Sequence, residues 1–146
     1  MSDIAHRAAE IMWAEDRASQ GLGIEIESVG DSYARLAMNL REDMTNGHGI
    51  AHGGFIFALA DSAFAFACNS TGQRAVANQC HITYLKPAKL GDRLTAEAIE
   101  HYREGRQGIT DVTVTTQDGT VIAKFRGHSR TIPGSLFDEP SNPTNA

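Results

Sequence analysis

Residues 53–72 read GGFIFALADSAFAFACNSTG, and the only charged side chain among them is Asp61. Phe55, Ile56, Phe57, Leu59, Phe64 and Phe66 fall on every side of a helix built from this stretch, with alanines between them, so it must be covered on every side. An ionised carboxylate enclosed there without partners costs several kcal/mol or takes up a proton. Asp61 is therefore either tightly satisfied or chemically useful.

On the N-terminal side, Ile4, Ala8, Ile11 and Met12 recur at helical spacing, with Ser2 or Asp3 available as a cap, which predicts a short amphipathic helix broken by Gly21 and Gly23. Leu22, Ile24 and Ile26 alternate with Glu25 and Glu27. Gly30-Asp31 then turns the chain into Tyr33–Met38, a hairpin with one wet face. Residues 41–51 read as a glycine-rich loop. Beyond the apolar helix come four strand-like runs, Ala75–Tyr84, Asp92–Arg103, Gln107–Thr116 and Val121–Arg130. They are separated by turn signals at Lys86-Pro87 with Gly91-Asp92, at Glu104-Gly105 and at Asp118-Gly119. Helix, two strands, buried helix, four strands is an α+β order without the strand-helix-strand repeat of a parallel sheet. A helix apolar all round is buried most economically when an antiparallel sheet of about six strands curls around it and a second copy closes the open side, which is the hotdog fold.

The chain has 146 residues and is 41% hydrophobic, enough for one domain with its own core. That domain is expected over residues 1–132; residues 133–146 hold three prolines and read as a flexible tail. A formal charge of -5 without a Lys/Arg cluster argues against a nucleic-acid or basic membrane surface, while leaving room for a phosphorylated small molecule. Residues 54–68 are too short, and too interrupted by Asp61 and Ser62, for a membrane span of about 20 residues. The first thirteen residues carry no continuous apolar export segment. Cys68 and Cys80 offer neither metal spacing nor a disulfide framework and read as small buried hydrophobes, so a cytoplasmic setting is expected.

Immediately before the helix stands Asn46-Gly47-His48-Gly49-Ile50-Ala51-His52-Gly53-Gly54. Paired glycines at a helix start leave amides that no earlier turn satisfies, with the positive end of the helix dipole behind them. This suits an oxyanion that develops during acyl transfer. Eight residues at about 1.5 Å each place Asp61 roughly 12 Å further along the axis, and its side chain recovers only about 3 Å of that. Reacting atoms need an approach of about 3–3.5 Å, so one chain cannot bring both groups to one carbonyl. Two copies related by a two-fold axis can, each site taking amides from one chain and the acid from the other.

The run from Asn46 to Gly54, Leu59-Ala60-Asp61, Ala65–Ser70, Tyr84-Leu85-Lys86-Pro87, Gly91-Asp92 and Phe125-Arg126-Gly127 together resemble the PaaI group of hotdog acyl-CoA thioesterases, the phenylacetate-degradation type. The resemblance implies that Asp61 is the catalytic carboxylate, as nucleophile or as general base toward water, and that Gly53 gives its N–H to the thioester oxygen. It further implies that His52 and Asn46 shape that end of the site, that Ser62 contacts the acyl group, and that a homotetramer forms from two dimers with CoA along the interface. Gly54, Lys86 and Arg126 complete the expected substrate contacts. No metal or cofactor is needed, because a thioester has a good leaving thiolate and an oriented carboxylate with an oxyanion site suffices.

The expected activity is hydrolysis of small aryl- or arylacetyl-CoA, phenylacetyl-CoA and its ring-hydroxylated derivatives above all. Two rivals stay open at this point. A hydratase or dehydratase would use His52 with Asp61 at the acyl β-carbon, and a non-catalytic acyl-CoA-binding module would bind without turnover. Taken alone, Asp61 serves equally well as a structural acid; the His-Gly-Gly lead-in favours catalysis. His48 and His52 lack a third metal ligand, and His81, His101 and His128 read as sheet residues.

Overall fold

The computed structural model describes residues 2–138. Helix α1 spans Ser2–Glu15 and a single turn, α2, Arg17–Gly21. Strands β1 (Glu25–Gly30) and β2 (Tyr33–Asn39) form the expected hairpin. Helix α3 (Gly53–Cys68) follows, and then β3 (Gln73–Tyr84), β4 (Arg93–Glu104), β5 (Gln107–Thr115) and β6 (Val121–Ser135). All pairings are antiparallel, in the order β1-β2-β4-β5-β6-β3, so the six strands make one sheet. This is the α+β hotdog arrangement, a central helix wrapped by the sheet.

The alternation of the strands explains the wrap. Leu94, Ala96 and Ala98 of β4 point inward, as do Leu36 and Met38 of β2, Val112 and Val114 of β5 and Phe125 of β6, all buried against α3. Alanines on the inner face let the helix lie close, and Gly127 takes this furthest. A Cβ there would stand 2.6 Å from the Phe64 ring, so only glycine admits that ring beside Phe125, whose centroid lies 5.8 Å away. Burying Phe64 fully contributes about 1.5–3 kcal/mol.

Both ends of α3 are fastened. At its start the His52 side chain accepts from the Gly54 amide at 3.0 Å. At its end Arg103 donates to the Cys68 carbonyl at 2.9 Å, a positive charge against the negative end of the dipole. Arg103 is held in turn by Glu100 at 2.9 and 3.0 Å, whose side chain is only 2% exposed.

Two features leave a surface for another chain. Strand β3 pairs with β6 along one side only, and its twelve residues are mostly exposed, Val76 at 46%. Long bare edges of this kind are templates for further strand pairing. On α3 itself, Gly54 is exposed and Ala58, Asp61 and Ala65 are half-buried. These positions are spaced four, three and four apart, so they form one stripe that the chain's own sheet does not close.

The strand boundaries fall within a few residues of those read from the sequence, with β6 continuing through Pro133 to Ser135. Residues 139–146, most of the expected tail, lie outside the described residues. Helix α2 was not anticipated, because five residues are too few to show an apolar period; it is set by Asp16, which caps it. Among the described residues, no helix is long and apolar enough to cross a membrane.

Candidate active site

The loop before α3 is built to deliver His52 and Gly53. Asn46 closes it on itself: its N–H donates to the Ile50 carbonyl at 2.8 Å, and its Oδ1 accepts the His48 amide at 2.9 Å. Gly49 takes φ 76, a conformation that glycine adopts without steric cost. The far side is clamped by the Ala51 amide on the Ala88 carbonyl at 2.7 Å and the His52 amide on Met44 at 2.8 Å.

This arrangement sorts the first amides of α3. Gly54 gives its N–H to His52 Nδ1, and Phe55 donates to the His52 carbonyl at 3.0 Å. The Gly53 N–H donates to no group among the described residues. It is the available donor at the positive end of the helix dipole. Because His52 accepts at Nδ1, its neutral ring carries the proton on Nε2, a second donor at the same end of the site. The Asn46 amide nitrogen donates to no group among the described residues, since only its oxygen is used by the turn.

Tyr84 approaches from β3 and donates to the Gly53 carbonyl at 2.8 Å. A Cβ at position 53 would lie 2.9 Å from its ring, so glycine is required for this contact. Gly53, Ile56, Tyr84, Lys86 and Pro87 line a cavity of about 360 Å³. Lys86 thus lines the same cavity as Gly53. Arg126 stands elsewhere, on the outer face of the sheet, forked onto Asp111 at 2.7 and 2.9 Å. That hydrogen bond holds the Asp111 carboxyl below the usual range, and His101 shares the same acid at 2.8 Å.

Asp61 is half-buried. Burial, reinforced by the negative charge of Asp16, holds its carboxyl above the usual carboxylate range. Its Oδ1 faces the Cys80 thiol of β3 at 4.0 Å. Burial, then Asp61, pushes that thiol up, so Cys80 stays protonated and acts as a weak donor to the acid. Cys68, fully buried, is pushed up to about 12 chiefly by desolvation and is inert. Ser62 is tied to Ser19 of α2 at 2.8 Å.

Strand β3 measures the separation along α3 independently. It touches Asp61 through Cys80 and Gly53 through Tyr84, four residues apart on one strand face, which is about 13 Å. The free amide and the desolvated acid of one chain therefore lie too far apart to meet a single carbonyl. Sequence reasoning located both but missed Cys80, Tyr84 and Asp16, whose apposition depends on packing between distant segments.

A sheet-wrapped helix with an unshielded N-terminal amide and one desolvated acid suits acyl transfer from a thioester, and comparison with known proteins gives the class. The thioesterase superfamily matches residues 48–123, and the chain belongs to it. It is similar to the acyl-coenzyme A thioesterase PaaI of Escherichia coli, with 40% identity over 95% of this chain and 99% of that protein. The solved structure of that PaaI protein, from the phenylacetic acid degradation operon, matches with a TM-score of 0.90 over 92% of this chain and 97% of its own. A Streptococcus mutans protein solved with bound acetyl-CoA matches at 30% identity and TM-score 0.74, over 77% and 90% of the two chains. The protein is a thioester hydrolase.

Proposed function

We propose that this protein hydrolyses acyl-CoA, with phenylacetyl-CoA and its ring-hydroxylated derivatives preferred, in sites that two copies build together. The observation that carries the reading is the free Gly53 amide at one end of α3 and the desolvated Asp61 on the open stripe about two turns further along. Pairing through the bare β3 edge, with the open stripes of two α3 helices facing each other, brings the amide of one copy to the acid of the other. Two such dimers would assemble as a homotetramer.

In such a site the thioester oxygen accepts from Gly53 N–H, with His52 Nε2 and the Asn46 amide nitrogen beside it. Asp61 either takes a proton from water as the water oxygen bonds to the carbonyl carbon, or bonds to that carbon itself. In both cases the carbon–sulfur bond breaks and CoA leaves as its thiolate, with the negative charge of the intermediate held by the helix N-terminus. On the second route water then hydrolyses the acyl–aspartyl anhydride. Lys86, which lines the same cavity as Gly53, would meet the CoA arm.

Phe55 and Phe57 support the aryl preference. Both are half-buried on the first turns of α3, Phe55 with its ring 6.0 Å from that of His52 and Phe57 edge-on to Phe125 of the core, whereas Phe64 and Phe66 are fully buried. The naming of the E. coli relative's operon points the same way. A panel of acyl-CoAs assayed by thiol release tests this reading. The highest kcat/KM is expected for arylacetyl-CoA, by at least tenfold over acetyl- and long-chain acyl-CoA. Preference for an aliphatic chain contradicts the aryl assignment, and absence of thiol release from every acyl-CoA contradicts the acyl-CoA reading.

A further inference from the structure

Asp16 stands at the junction of α1 and α2 and uses both carboxylate oxygens on one residue. Oδ1 accepts the Ser19 amide at 2.9 Å and Oδ2 accepts the Ser19 hydroxyl at 2.6 Å. A carboxylate only accepts, so the Ser19 proton is committed to Asp16. The 2.8 Å contact between the hydroxyls of Ser19 and Ser62 is then donated by Ser62. The direction of the chain is fixed, from Ser62 to Ser19 to Asp16, with a negative charge at its end.

This chain pins α2 to α3 at the residue that follows Asp61. Ser19 is only 2% exposed, so the link lies where water screens charge poorly. A neutral Asn caps a helix as well as Asp does, and a five-residue turn does not require a charge. The charge of Asp16 acts instead on Asp61. Among the described residues, the ionisable groups that bear on Asp61 are Asp16, the Cys80 thiol of β3 and, more weakly, the buried Cys68 thiol of α3 itself. Glu100 and Arg103 of β4 act on Cys68, about two turns along α3, and β1, β2, β5 and β6 bring no charge to bear on Asp61.

The geometry points to Asp16 as a positioning residue for Asp61: the chain from Ser62 through Ser19 fixes a second carboxylate against the residue that follows Asp61 in α3, and that fixed charge supports the reactivity of Asp61 in hydrolysis. The proposal rests on Asp61 being the catalytic acid. Asp61 can be titrated directly by NMR of protein carrying carboxyl-labelled aspartate, its signal identified by loss in Asp61→Asn. In Asp16→Asn the midpoint of that signal and the acid limb of kcat/KM are both expected at lower pH than in the parent. The plateau kcat is expected to fall severalfold while KM changes little. Asp16→Glu, which keeps the charge, is expected to restore both positions. An Asp61 midpoint unmoved in folded Asp16→Asn overturns the proposal. A midpoint that moves while the acid limb stays overturns the catalytic reading of Asp61 instead, and the two failures are thereby told apart.

Discussion

Asp61→Asn is expected to lower kcat by about 10²–10⁴-fold, the usual contribution of a positioned acid or base, with KM changed only a few-fold. Asparagine keeps the shape of the side chain, its place on the stripe and an oxygen for Cys80, but can neither take a proton from water nor attack a thioester. The same substitution is expected to stabilise the fold. Because the native carboxyl is raised above its unfolded value, the native state binds more protons between those two values. Stability therefore falls as pH rises through that window and stays low above it. Asn removes the burden of a desolvated charge beside Asp16, a gain of about 0.5–2 kcal/mol at neutral pH and little below the window. Urea denaturation at both pH values checks this. Near-parental turnover sinks the catalytic role, and equal stability at neutral pH removes desolvation from the account.

The second large effect separates a donor from a steric contact at Gly53. Any Cβ there meets the Tyr84 ring at 2.9 Å and must push it aside, so Gly53→Ala measures that displacement alone. Gly53→Pro adds a second change, the loss of the N–H. Proline is otherwise well suited to the first position of a helix, so α3 still forms. The kcat of the proline variant is expected to fall about 10²–10³-fold below that of the alanine variant, the usual loss when one oxyanion donor is removed. Equal rates for the two variants would mean that the amide holds no developing charge.

Much of this was legible in the chain before its structure. The apolar run around Asp61 announced a wrapped helix, and alternation with turn pairs such as Asp118-Gly119 marked the strands. The spacing of Gly53 from Asp61 is fixed by helix rise alone, so their separation within one chain followed without coordinates. What could not be read depends on contacts between distant segments. Ser19 meets Ser62 across 43 residues because α2 happens to dock there. Cys80, read as a small buried hydrophobe, is half-buried with its thiol toward Asp61, because the register of β3 against α3 is set by the whole sheet. The position of β3 at the far edge, beside the last strand, reflects α3 crossing the sheet before the chain pairs again. Arg126, expected among the substrate contacts, is forked onto Asp111 of the neighbouring strand, a pairing set by the register of β5 against β6.

The claim that two chains share each site is tested most directly by combining two inactive variants. Asp61→Asn supplies intact amides without the acid, and Gly53→Pro supplies the acid without the amide. Co-expressed at equal levels, they form mixed dimers about half of the time, and each mixed dimer holds one complete site of two. Recovery of about a quarter of parental activity is the predicted result, from parents that are each almost silent alone. A mixture as inactive as its parents would contradict the account.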